Sequence, residues 1–151
     1  MRALVQRITG CKVWIDGRLH SSTAAGLLVL FGTCTGDAES SCAALADKLV
    51  NLRIFRDSQG KMNLSVLDTS GEIMIVSQFT LYADTRKGRR PAFTNAMEPV
   101  EAERLYNRFV ELVSASGLVT RTGQFGAEME LRFTNQGPVT IMLEHDASPH
   151  S

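Results

Sequence analysis

The chain is poor in the residues that usually announce chemistry. It has three cysteines, three histidines and one tryptophan among 151 residues. Cys11, Cys34 and Cys42 are odd in number and form no CxxC, which argues against a disulfide framework and for a reducing cytoplasm. His20, His145 and His150 are scattered, so their spacing argues against a metal site. GxSxG, HExxH and a P-loop are absent, and no ordered Ser-His-Asp or Cys-His set is visible. No apolar stretch approaches the roughly 20 residues that span a bilayer, so no membrane segment is expected. The opening Met1-Arg2-Ala3-Leu4-Val5-Gln6-Arg7 carries charges within it and reads as a first strand, not a signal peptide. Formal net charge is zero, so a nucleic-acid partner must be read from a local patch and not from the whole chain.

What is present suits a globular protein. Hydrophobic residues make up 44% and charged residues 21%, and the length suits one domain over residues 1–145. Residues 146–151 are polar and read as a disordered tail. Leu4, Val5 and Ile8 suggest the opening strand. Val13, Ile15 and Leu19 flank Asp16-Gly17, a hairpin signal. Leu27 to Phe31 is a continuous apolar run, expected as a strand buried on both faces. Asp37 is placed as the N-cap of a helix whose apolar face is Cys42, Leu45, Ala46, Leu49 and Val50, running to about Asn51. Leu52, Ile54 and Phe55 alternate into a strand, and Lys61 to Val66 reads as a short extended piece. Ile73 to Val76 is a second buried strand, and it delivers Ser77 to its end.

Tyr82 to Asn95 is irregular and basic. Pro99 suits the first turn of a second helix, with Leu105, Phe109, Leu112 and Val113 on its apolar face and Gly117 as its stop. Val119 begins another strand, Met129 to Phe133 alternates with Glu128, Glu130 and Arg132, and Val139 to Leu143 is the last strand. The order predicts an α/β fold: a compact three-layer arrangement of packed β-sheets with two helices on one side.

Two segments resist a purely structural account. Ser77-Gln78-Phe79-Thr80-Leu81 ends an apolar run with small polar groups around an aromatic. Two hydroxyls satisfying backbone groups at a strand end would explain it. Alternatively, Gln78 and Thr80 supply donors and acceptors to a pocket, and free N–H groups of the strand end meet a developing oxyanion. Asn135-Gln136-Gly137-Pro138-Val139-Thr140 lies between two apolar runs. On its own it favours a turn, although Pro fixes the backbone and Gly admits a close neighbour. A third feature is Arg86-Lys87-Gly88-Arg89-Arg90, four cations in five residues of a neutral chain. It is a solvated loop or a phosphate contact, and Tyr82 and Phe93 flank it as core or as base-stacking rings. Asp84 is expected to pair with an arginine of this loop.

Taken together, these motifs resemble the D-aminoacyl-tRNA deacylases. The resemblance runs through Met1 to Arg7, Asn51 to Phe55, Gly60 to Val66, Ser77 to Ala83, Lys87 to Pro91 and Asn135 to Thr140, nearly the whole chain up to Leu143. It implies a homodimer in which Gly137-Pro138 of one subunit, its peptide cis, enters the active site of the other and leaves no room for an L side chain. Arg7 resembles the residue that holds this motif, and Ser77, Gln78, Phe79 and Thr80 match the catalytic half of the pocket. Asn135 and Met129 join Gly137, Pro138 and Arg7 as substrate-binding candidates, and Arg86, Lys87, Arg89 and Arg90 as tRNA-binding candidates. The implied activity is hydrolysis of the ester between a D-amino acid, or glycine mischarged on tRNA for alanine, and tRNA, without metal or cofactor. Ala92 departs from the family pattern, where Ser is expected. A non-catalytic RNA-binding protein and a small-molecule esterase are the competing readings.

Overall fold

A long first strand organises the structure. The computed structural model describes residues 1–146, so the expected tail lies outside the described residues except for Asp146, as does His150. Strand β1 (Arg2–Ile15) turns at Asp16 and Gly17 into β2 (Arg18–Thr23). Both turn residues have positive φ, 50° and 74°, the backbone that a two-residue hairpin needs and that glycine adopts without a Cβ clash. β1 also pairs with β3 (Gly26–Gly32) along Arg2 to Ile8, and with β8 (Glu130–Glu144) along its opposite edge. β3 continues in parallel into β6 (Glu72–Ser77), and β6 into β7 (Thr120–Thr122).

The sheet order is β2-β1-β3-β6-β7, with β8 added on β1. Its two ends approach each other: the Ser21 hydroxyl of β2 donates to the Thr122 carbonyl of β7 at 2.6 Å. One mixed sheet therefore curls almost into a barrel. This corrects the expected stack of separate sheets, and the reason is the 14-residue length of β1, which gives it three partners. A two-stranded ribbon of β4 (Phe55–Arg56) and β5 (Met62–Leu64) stands apart, shorter than the alternation of Leu52 to Phe55 suggests.

The apolar run Leu27 to Phe31 serves both faces of the sheet, as its composition predicts. Leu27, Val29 and Phe31 meet the helices α1 (Glu39–Asn51) and α3 (Pro99–Ser114). Leu28 turns inside the curl with Ile8, Cys11, Val13, Met74 and Val76. The Phe31 and Phe109 rings stack with centroids 4.3 Å apart. The buried Tyr106 hydroxyl donates to the Ile75 carbonyl at 2.8 Å, tying α3 to β6.

Other details differ from the sequence reading. Ala38, not Asp37, is the N-cap of α1, and it makes no side-chain cap. Asp37 instead accepts from the Met1 ammonium at 2.8 Å and from the Cys34 N–H at 2.8 Å, a longer-range ion pair that outcompetes the local cap. A third helix, α2 (Val66–Thr69), follows β5. Ser65 accepts from the Asp68 N–H at 3.1 Å while the Asp68 carboxylate accepts from the Ser65 N–H at 2.8 Å, a reciprocal capping box. Met129 to Phe133 and Val139 to Leu143 do not bracket a turn. Most of both runs belongs to the single strand β8. Pro99 begins α3, with the Glu98 carboxylate capping the Val100 and Glu101 N–H groups.

Phe109→Ala removes a fully buried ring from the helix–sheet interface. It is expected to cost about 3–5 kcal/mol of folding stability, read as a fall in the urea midpoint at unchanged slope.

Candidate functional site

β6 ends where the chain is forced outward. The Gln78 N–H still pairs with the Phe31 carbonyl at 2.7 Å, the last sheet bond. A single 3-10 turn (Phe79–Tyr82) follows. A turn of this kind leaves its first N–H groups without internal acceptors. Among the described residues, no backbone carbonyl accepts from Phe79 or Thr80 N–H. The Gln78 side-chain amide donates to the Thr80 hydroxyl. Phe79 is 59% exposed, with its ring edge-on to Phe93 at 4.9 Å.

Beside this turn lies a cavity of about 450 Å³, lined by Ser77, Gln78, Phe79, Met97, Phe125 and Met129 among others. Met129, just ahead of β8, thus joins the Ser77 segment although it lies 52 positions further along the chain. Met97 and Phe125 were not legible as site residues, because both sit in loops without periodicity. Arg2 was also missed. Its guanidinium donates to the Leu81 carbonyl at 2.7 Å and lies 4.6 Å from the Tyr82 ring centre, fastening the turn to β1.

Gly137-Pro138 sits elsewhere. β8 pairs Asn135 with Ile8 and Thr140 with Gln6, so residues 136–139 bulge outward opposite Arg7 alone. The Gly137–Pro138 peptide is cis, and Gly137 has φ +135°, a region that L side chains rarely adopt. A Cβ there would lie 2.9 Å from Val139 Cγ2 and 3.1 Å from Arg7 Nη2. Arg7 is 5% exposed. Its Nε donates to the Gln136 carbonyl at 3.0 Å and its Nη1 to the Ile54 carbonyl at 2.8 Å. Asn135 closes the neck of the bulge: its Oδ1 accepts from the Val139 N–H at 2.8 Å, and its Nδ2 donates to the Thr140 hydroxyl at 2.8 Å. Arg7, Phe55, Arg56, Gln136 and Gly137 line a second, separate cavity of about 300 Å³. Within one chain, the described residues of the Gly137 bulge do not line the Ser77 cavity.

The basic loop is anchored at its base by backbone. Asp84 and Ala92 exchange hydrogen bonds at 2.7 and 2.9 Å, so position 92 is held by its main chain and not by a side chain. Arg86 is bound to Asp84 by two guanidinium contacts, at 2.9 and 2.8 Å, as expected for that carboxylate. Lys87, Arg89 and Arg90 are exposed and make no ion pair among the described residues. Tyr82 is taken by Arg2 and Phe93 by Phe79.

The remaining chemistry is sparse. Burial pushes the Cys11 and Cys42 thiols up to about 11, which removes them as nucleophiles near neutral pH. Among the described residues, no three His, Cys, Asp or Glu side chains gather as a metal-binding group. What the site offers is backbone N–H groups, a Gln–Thr pair and an apolar-walled cavity.

Comparison with known proteins fixes the lineage. The family model described as D-Tyr-tRNA(Tyr) deacylase matches residues 4–144. A D-aminoacyl-tRNA deacylase of Myxococcus xanthus is 51% identical over 95% of this chain and 94% of its own. The chain belongs to the D-aminoacyl-tRNA deacylase family. A deacylase of Thermotoga petrophila is 50% identical, covering 95% of this chain and 97% of its own. A solved structure described as the c-Myc DNA unwinding element binding protein superposes with a TM-score of 0.91 at 40% identity, over 97% of this chain and 100% of that one. A probable eukaryotic D-amino acid tRNA deacylase shares the fold, with a TM-score of 0.78 at 20% identity. The two segments described above are thus features of a chain that is a deacylase by family.

The loop generates a pH expectation. Hydrogen bonds from Arg86 hold the Asp84 carboxyl down at about 2. A depressed carboxyl keeps its partner above that value and loses it as pH falls through it. Carboxyl-carbon NMR should show Asp84 titrating near pH 2, and in Arg86→Ala moving back toward the ordinary range.

Proposed function

We propose that this chain hydrolyses the ester bond of D-aminoacyl-tRNA, releasing the free amino acid and tRNA. We extend this to glycine mischarged on tRNA for alanine, which has no side chain to reject. The observation that carries the reading is the end of β6: two N–H groups without backbone acceptors beside a cavity wide enough for an aminoacyl end. Water adds to the ester carbonyl, and the oxyanion that forms accepts from the Phe79 and Thr80 N–H groups. The bond to the ribose oxygen then breaks, and that oxygen takes the proton released by the attacking water, passed through the neighbouring ribose hydroxyl. Position and preorganised donors lower the barrier by several kcal/mol in such a scheme, without a side-chain nucleophile. Ser77 and Gln78 frame the carbonyl, and Met129 walls the cavity.

Selection of handedness is assigned to Gly137 and Pro138 of a second copy. The exposed bulge, which does not line its own Ser77 cavity, supports a homodimer in which each tip completes the other pocket. Arg7 and Asn135 serve that tip. Arg86, Lys87, Arg89 and Arg90 are assigned to tRNA phosphates, which the exposure of the last three supports. We place the activity in a single domain over residues 1–145 and in the cytoplasm. No described helix is long and apolar enough to cross a membrane.

The purified chain should release D-amino acid from charged tRNA while leaving the matched L-aminoacyl-tRNA nearly intact. Thr80→Ala should keep most of that turnover. Binding of tRNA without hydrolysis would instead establish an RNA-binding protein, and a trapped acyl-Thr80 adduct would make Thr80 the nucleophile.

Gly137→Ala puts a methyl group against Val139 and Arg7 in a backbone region hostile to L residues. It should lower kcat/KM on D-aminoacyl-tRNA by about a hundredfold, the scale of an ångström-sized misplacement. Full activity with full D-selectivity in this variant would exclude the backbone gauge.

A further inference from the structure

We infer that Asn135 and Thr140 are positioning residues that clamp the neck of the Gly137 bulge, and that D-over-L selectivity depends on this clamp. The inference rests on the proposed role of Gly137 as the gauge. Four residues, 136–139, leave the β1–β8 ladder between the pairs Gln6–Thr140 and Ile8–Asn135. An excursion of that length at a sheet edge has many conformations unless its ends are tied. Here they are tied twice. From behind, Arg7 holds the Gln136 carbonyl at 3.0 Å and is itself fixed to Ile54 at 2.8 Å. Across the neck, Asn135 reaches over the whole tip to the Val139 N–H and to the Thr140 hydroxyl, both at 2.8 Å. Gln6 adds a longer contact to the same hydroxyl, at 3.4 Å. Both ends of the Asn135 amide are therefore engaged inside its own strand, and on this inference its action on substrate passes through Gly137.

The chemistry explains the residue types. Asn carries its acceptor and its donor on separate atoms of one short side chain, so it can meet a backbone N–H and a hydroxyl at once. Thr140 completes the ring because its hydroxyl accepts from the Asn amide. A gauge that excludes a side chain by backbone contact must hold its place to within about half an ångström. A loosened neck should admit the L substrate while the D substrate still reaches the N–H pair. The signature is thus a changed ratio and not a general loss of turnover.

The test uses the full chain and single-turnover hydrolysis of D- and L-aminoacyl-tRNA, read beside amide hydrogen exchange of the substrate-free protein. Asn135→Ala should lower the D/L ratio of kcat/KM by about tenfold or more, mainly through faster L hydrolysis, and should speed exchange at Val139 N–H by a similar factor. Thr140→Val should act in the same direction and more weakly. Asn135→Asp should restore both readouts, since its carboxylate accepts from Val139 N–H and from the Thr140 hydroxyl. An Asn135→Ala chain with wild-type D/L ratio and wild-type exchange overturns the clamp. So does loss of D turnover with no change in ratio in a folded variant, which would make Asn135 a substrate ligand. Should Asn135→Ala fail to fold, Thr140→Val carries the same two readouts. A wild-type chain that hydrolyses neither substrate removes the functional reading, and the exchange measurement alone then judges the clamp.

Discussion

A nearly buried guanidinium holds the segment on which the proposed selectivity turns. Arg7 sits on β1 where β8 leaves it, and both of its hydrogen-bond partners are backbone carbonyls, Gln136 and Ile54. A buried cation needs such acceptors, because water cannot solvate it there. By satisfying itself, Arg7 ties the outgoing segment to the backbone at Ile54. The β1–β8 pairing then resumes at Gln6 and Thr140 in a shifted register. A lysine could not make this arrangement, since the planar fork reaches two carbonyls in fixed directions at once.

Much of the frame was legible because it rests on local rules. Asp16-Gly17 reads as a hairpin from backbone sterics alone, and the run Leu27 to Phe31 has no polar residue to face water. Ser77 at the end of β6 follows from the apolar run before it. Asp37 was misread for an equally physical reason. Local preference makes Asp a cap, and a distant ammonium offered a stronger partner. The α2 capping box was readable in Ser65 and Asp68, but four residues carry no periodicity to confirm it.

The site was half legible. Gly137-Pro138 alone reads as a turn, because the residue that makes it a bulge stands at the other end of the chain. Met97 and Phe125 could not be found, since loop residues enter a cavity by tertiary placement and not by pattern. Tyr82 and Phe93 look free in sequence and are occupied in the fold, by Arg2 and Phe79. What the resemblance added was the pairing of two motifs that no window of sequence connects.

The bond from Arg7 to Gln136 joins residues 129 positions apart. Contacts of that separation form late, because the chain between them must first be brought to order. The tip can take its shape only once β1 and β8 are brought together. In the proposed dimer, folding order thus becomes a safeguard: a partly folded chain has no finished tip to offer a second copy, so a pocket completed by exchange of tips would be assembled from finished subunits.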